Sequence, residues 1–146
     1  MTPNTMTTTT TLDIIIFRKG TEGLSTEIYA EKIQDRLPDY SVARARTIHQ
    51  ERELLPDARV ATGVSIDEEL VERGRNLDLF VAASSGVNHL PLDRLSQRGV
   101  IVANAAGIHA SGIAEQVLGY CLSFTRRIHE GWRRKRNHYW HHYKAS

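Results

Sequence analysis

"LDLFVAASSGVNHLPLDRLSQRGVIVAN", residues 77–104, decides the fold. It opens on an apolar run of strand length, LDLFVAAS (77–84), and breaks at Ser-Ser-Gly. It then passes through a short helical pattern, LDRLSQRG (92–99), and re-emerges as VIVAN (100–104). Apolar runs of this length bounded by turn residues are strand signals. Two such runs bracketing a helix make a βαβ unit, which pairs its strands in parallel.

The same alternation extends towards the N-terminus. ARVATGV (58–64) reads as a strand leaving through Gly63, and IDEELVERG (66–74) as a helix with an acidic first turn and a terminal Gly. YSVARAR (40–46) alternates like a more exposed strand, and HQERELL (49–55) is a short polar helix ending at Pro56. STEIYAEKIQDRL (25–37) is a helix that Ser25 caps, with Ile28, Ala30, Ile33 and Leu37 on one face and Pro38 as its stop. LDIIIF (12–17) is a β-branched strand buried on both faces. The pattern predicts an α/β fold, a parallel sheet with helices on both faces.

From about Ser111 the character changes. SGIAEQVLGYCLSFTRRIHEGWRRKRN runs to residue 137 without Pro, predicting one long helix. Ile113, Val117, Cys121, Phe124 and Ile128 share a face that is too apolar for a lone surface helix. Cys121, the single cysteine, is expected to be a buried, inert thiol, and no intramolecular disulfide is possible. The expected organisation is a disordered Thr-rich tail over 1–11, a substrate-binding portion over 12–110, and the long helix with a basic C-terminal segment over 111–146.

Composition narrows the function classes. A chain of 146 residues with 40% hydrophobic and 25% charged residues holds one core and is not disordered throughout. No apolar run approaches the roughly 20 residues needed to cross a membrane. The opening MTPNTMTTTTTL lacks the basic and apolar regions of a signal peptide, so a cytoplasmic protein is expected. A formal charge of +2 does not by itself imply nucleic acid. The basic stretch RRIHEGWRRKRNHYWHHYK (126–144) interleaves cations with aromatics, as nucleic-acid surfaces do. It equally fits the cationic end of a helix, and nucleic acid is set aside. His138, His141 and His142 have a spacing that metals use, yet no acid or Cys stands near them in sequence, so no metal site is assigned.

Two small-residue loops follow strands at the carboxyl side of the sheet: Thr62-Gly63-Val64-Ser65 and Ser84-Ser85-Gly86-Val87-Asn88. Ligands of open parallel sheets bind on that side. Backbone N–H groups of a glycine turn can form a nest for a carboxylate or phosphate. A glycine that only makes a tight turn reads the same way.

In order along the chain stand Gly86-Val87-Asn88, Arg98-Gly99, Val100-Ile101-Val102-Ala103-Asn104 and Ile113-Ala114-Glu115. This ordered set resembles the substrate-domain pattern of the D-isomer-specific 2-hydroxyacid dehydrogenases, and the resemblance covers roughly residues 12–146. It implies an α/β, flavodoxin-like parallel sheet with flanking helices and a long C-terminal crossover helix, in an NAD- or NADP-dependent oxidoreductase acting on a small 2-hydroxy or 2-keto acid. The substrate carboxylate would lie on Ser85, Gly86 and Val87, with Thr62 and Gly63 as a second wall. Asn104, Gly112 and Ile113 would neighbour the cofactor. Ala105-Ala106 depart from the frequent Thr-Pro, and Gly112 from a frequent Ser or Thr, so a hydroxyl contact to the cofactor is lost there.

The dinucleotide signature G-x-G-x-x-G does not occur in these 146 residues. The family's acid/base His and Glu and its substrate-clamping Arg have no match either, so no catalytic residue is assigned. His89 and His109 are candidates only for lining the cleft. The expectation is a substrate-binding domain truncated before its NAD-binding domain and inactive alone. It would associate through the long helix with a second copy or with the missing half. The alternatives are a non-catalytic anion-binding or protein-interaction module and, further off, a basic nucleic-acid-binding protein.

Overall fold

The computed structural model describes residues 12–18 and 25–140. The Thr-rich segment 1–11 and the histidines His141 and His142 lie outside the described residues. The chain divides between Ala106 and Gly107 into two compact units.

In the first unit the described residues form β1 (Ile14–Ile16), α1 (Thr26–Arg36), β2 (Val42–Arg44), α2 (Ile48–Leu54), β3 (Val60–Gly63), α3 (Glu68–Arg73), β4 (Leu79–Ala82), α4 (Leu92–Gln97) and β5 (Ile101–Asn104). All strands are parallel, in the order β2-β1-β3-β4-β5. This is the flavodoxin-like order, whose direction of winding reverses between β1 and β3. The register aligns Ile15 with both Ala43 and Ala61, Ala61 with Phe80, and Phe80 with Val102.

The LDIIIF run behaves as a central strand must. Ile14, Ile15 and Ile16 are all buried, on alternating faces. One face carries the main core, in which Ile15, Phe17, Leu55, Leu70, Val71, Phe80 and Leu95 pack together. The Phe17 and Phe80 rings meet at 6.0 Å with a 49° tilt, a favourable aromatic geometry. Helix punctuation follows the sequence: Ser25, Thr47 and Asp67 accept from the third residue onward and cap α1, α2 and α3.

Two local features depart from expectation in this unit. Thr62 and Gly63 belong to β3 rather than to the loop after it, and both are buried. Gly63 is small for a packing reason, because a Cβ there would lie 2.9 Å from Phe17 Cβ. Glu51, placed by its sequence on a polar helix, is only 3% exposed.

The second unit contains α5 (Ala110–Thr125) and α6 (Ile128–Arg136). The predicted continuous helix is broken. Arg127 adopts a left-handed conformation, φ 52°, although neither Pro nor Gly marks the place. At the last turn of α5 the Thr125 hydroxyl donates to the Cys121 carbonyl at 2.9 Å, a bond that weakens a helix end slightly. No residue of α5 is buried, and Cys121 is exposed, contrary to the expected buried thiol. An apolar run marks a face that favours cover; it does not supply the cover. Among the described residues, no helix is long and apolar enough to cross a membrane.

Two consequences are measurable. Gly63→Ala should destabilise the chain by about 1–3 kcal/mol through overpacking against Phe17, read by denaturant unfolding. The second concerns acid. Ser41 donates its amide and hydroxyl to Asp13 Oδ2, each at 2.8 Å. These bonds, with Arg59 nearby, hold the Asp13 carboxyl below its ordinary 3.8. A carboxyl depressed in the folded state stabilises above its unfolded pKa and loses that contribution as pH falls through the folded value. Ser41→Ala should therefore flatten the fall in thermal stability below about pH 4, and an unchanged acid limb would refute this role.

Candidate functional site

β4 delivers the chain to the carboxyl edge of the sheet, where it must turn through Ala83–Asn88. The Ala83 amide is held by the Gly63 carbonyl at 2.9 Å, which fastens the start of the turn to β3. Beyond this point the carbonyls are satisfied one after another. Ser84 O accepts from the Ala105 amide at 3.1 Å, and Ser85 O from Asn104 Nδ2 at 2.9 Å. Gly86 O accepts from Ser84 Oγ at 2.8 Å, and Val87 O from the Leu90 amide at 3.0 Å.

The amides are in the opposite condition. Among the described residues, those of Ser85, Gly86 and Val87 donate to no partner. Ser85 and Gly86 are exposed and Val87 is half-buried. A turn with its acceptors occupied and consecutive donors left over presents positive partial charge to the solvent, which suits an anion.

Gly86 itself has ordinary negative-φ geometry, because the positive-φ glycines among the described residues are Gly99 and Gly107. A Cβ at Gly86 would meet nothing within 4 Å. The fold therefore does not demand glycine here for conformation or for packing. What the missing side chain provides is open space in front of the turn.

Asn104 fixes the arrangement from β5. Its Nδ2 holds Ser85 O while its Oδ1 accepts the Ala106 amide at 3.3 Å. Both ends of the side chain are thus engaged locally. His89 bridges to the other loop, its Nε2–H donating to Val64 O at 2.8 Å. Thr62 is 3% exposed, and its hydroxyl lies 3.4 Å from the Tyr29 hydroxyl.

A cavity of about 490 Å³ opens beside this turn. Its walls come from the residues after β1 (Phe17, Arg18), from α2 (Ile48, Glu51), from the loop and first turn around α3 (Ser65, Ile66) and from His89. It occupies the place where the sheet reverses its winding, and its size is that of a small-molecule site. Glu51 organises this corner. Its Oε1 accepts the Arg18 amide at 2.9 Å, and its Oε2 stands 3.5 Å from Arg18 Nε.

Of the site residues expected from sequence, Thr62, Gly63, Ser85, Gly86, Val87 and Asn104 therefore lie together at the carboxyl ends of β3, β4 and β5. Gly112 and Ile113 stand in the first turn of α5, in the other unit, as does His109, its N-cap. Arg18 and Glu51 were not singled out from sequence, since they lie 33 positions apart. The only available signal was an Arg placed directly after a buried parallel strand. No group of three His, Cys, Asp or Glu among the described residues could hold a metal.

Asn104→Ala should cost about 1–2 kcal/mol and free the Ser85 carbonyl. Gly86→Ala should leave stability within about 0.5 kcal/mol of the parent. Thermal unfolding of both variants checks the contrast.

The sequence model of the family described as "D-isomer specific 2-hydroxyacid dehydrogenase, catalytic domain" matches residues 14–130. An erythronate-4-phosphate dehydrogenase of Shewanella loihica is 28% identical over 102 residues, covering 69% of this chain and 27% of that protein. A D-3-phosphoglycerate dehydrogenase of Methanocaldococcus jannaschii is 26% identical over 102 residues, 68% of this chain and 20% of that one. Among solved structures, a phosphoglycerate oxidoreductase from Rhizobium etli superimposes with a TM-score of 0.69 at 21% identity. That likeness covers 92% of this chain and 43% of the other. The chain spans about a quarter of the length of the first of these curated relatives.

Proposed function

Because this chain belongs to the D-isomer-specific 2-hydroxyacid dehydrogenases, matched through their catalytic domain, we propose that it is the substrate-binding part of an NAD- or NADP-dependent enzyme. That enzyme interconverts a small 2-hydroxy acid and its 2-keto acid. The observation that carries this reading is the turn at Ser84–Val87, whose carbonyls are occupied while the amides of Ser85, Gly86 and Val87 remain to receive a carboxylate.

Binding the carboxylate there fixes the neighbouring C2, the carbon that changes oxidation state. Orientation of this kind is a large part of what an active site contributes. Thr62 and Gly63 act from behind the site. Gly63 O anchors the Ala83 amide, and Thr62 shapes β3 beneath it. Neither needs to touch the substrate.

The residues expected near the cofactor divide between the two units, Asn104 in the first and Gly112 and Ile113 in the second. Gly112 has open space where a Cβ would stand, and the Ile113 side chain is 62% exposed. Asn104 spends both ends of its side chain on the turn, so its part is to hold the Ser85 carbonyl. When bound, the cofactor supplies or takes the hydride. Holding its pyrophosphate needs a glycine-rich nest, and these 146 residues contain no G-x-G-x-x-G segment. The apolar face of α5, with Val117 and Leu118 exposed, is the surface for association with a second copy or with a nucleotide-binding half.

Two experiments test the reading. In a titration of the isotope-labelled chain with glyoxylate or pyruvate, the amide resonances of Ser85, Gly86 and Val87 should shift most. Gly86→Val, which fills the open space, should abolish the shifts while leaving the spectrum otherwise folded. Shifts confined to other residues would refute the site. The purified 146-residue chain, mixed with NADH or NADPH and a panel of 2-keto acids, should oxidise no cofactor above the blank. Measurable turnover would overturn the expected inactivity of the isolated chain.

A further inference from the structure

The crevice between β1 and β3 contains an arginine that the carboxylate site does not use. We propose that Arg18 binds a second anionic group on the substrate, a carboxylate or a phosphate ester, at the far end of the acid whose first carboxylate rests on the Ser85–Val87 turn. This rests on the reading above and adds the substrate class to it.

Continuity of the cavity wall with the turn comes first. His89 lies two residues past Val87, so their Cα atoms are at most about 7 Å apart, and His89 lines the cavity that Arg18 also lines. The cavity is an open cleft whose wall begins at His89, next to the turn, so the chain of an acid seated on the turn can extend into it.

The state of Arg18 comes second. Glu51 is 3% exposed, so its charge is tolerated only with partners. It takes the Arg18 amide and lies against Nε, and it uses up neither Nη group. Among the described residues, the two Nη groups have no hydrogen-bond partner, and the side chain is 40% exposed. A buried carboxylate thus holds Arg18 through its amide and Nε, and leaves both Nη groups of this cavity-lining side chain unengaged. Together these match the oxygens of a carboxylate or phosphate bidentately.

Two further acidic groups line this cavity, and neither is paired with Arg18. Asp67 Oδ1 is engaged by the Leu70 amide at 2.8 Å, and Asp67 and Glu68 are both exposed to solvent screening. Ile48 and Ile66 line the cavity with them and suit the carbon chain between two anionic ends.

The test uses two pairs of acids matched in length. 2-Oxoglutarate is compared with 2-oxopentanoate, and 3-phosphohydroxypyruvate with hydroxypyruvate, each by amide-shift titration of the 146-residue chain. At least one dianion should bind about tenfold tighter or more than its matched partner; the pair that shows it tells carboxylate from phosphate. Arg18→Gln should bring that ratio close to one, and Arg18→Lys, which keeps the charge without the fork, should retain part of it. Should Arg18→Gln fail to fold, the Arg18→Lys ratio decides: a ratio equal to the parent's overturns the proposal. Equal binding within both pairs by the parent chain, or a preference that Arg18→Gln leaves intact, also overturns it. If the turn amides respond to none of the four acids, the carboxylate site itself has failed. If they respond equally to all four, only the second anionic site has.

Discussion

Burial of β1 on both faces, between β2 on one side and β3 on the other, is the constraint from which the rest of the first unit follows. A strand with three consecutive β-branched residues and no exposed side has no stable place at an edge. Once it is central, right-handed crossovers must run outward from it in both directions. The chain leaving β1 and the chain leaving β3 then diverge to opposite faces, and a crevice opens at their carboxyl ends without any residue being selected to make it. Arg18, Ser65 and His89 line that crevice because of where their strands end.

The proposed function rests on hydrogen-bond accounting at one turn of this scaffold. Protein backbones in turns have as many donors as acceptors, and most of both find partners. Between Ser84 and Val87 the acceptors are met by Ala105, Asn104, Ser84 Oγ and Leu90, while donors are left towards solvent. We read the asymmetry as a site for negative charge made from neutral groups, without an ionisable side chain and therefore without pH dependence of its own. Asn104 is central to it, since one side chain joins β5 to the β4 turn and stiffens both.

Much of this was readable in the sequence, because the strongest signals were local. LDIIIF and VIVAN are strands by composition alone, and Ser25, Thr47 and Asp67 cap helices by short-range bonds that need no tertiary context. The Gly86 turn was found correctly, although its glycine keeps an ordinary backbone conformation and the reason for it is space. Most of what escaped depends on contacts distant in sequence. Gly63 looked like a strand exit and is instead a strand residue pressed against Phe17. Glu51 looked solvated, and only the approach of Arg18 across the fold explains its burial. The break at Arg127, with its left-handed backbone, has no signature in apolar periodicity.

The central claim is that free amides after β4 hold a carboxylate, and a crystal of this chain grown with a small 2-keto acid tests it most directly. The account predicts density for the acid with its carboxylate oxygens within hydrogen-bond distance, about 2.7–3.2 Å, of the Ser85, Gly86 and Val87 nitrogens. It also predicts that the Asn104–Ser85 bond stays intact. A turn whose amides face only water while the acid sits elsewhere would contradict it.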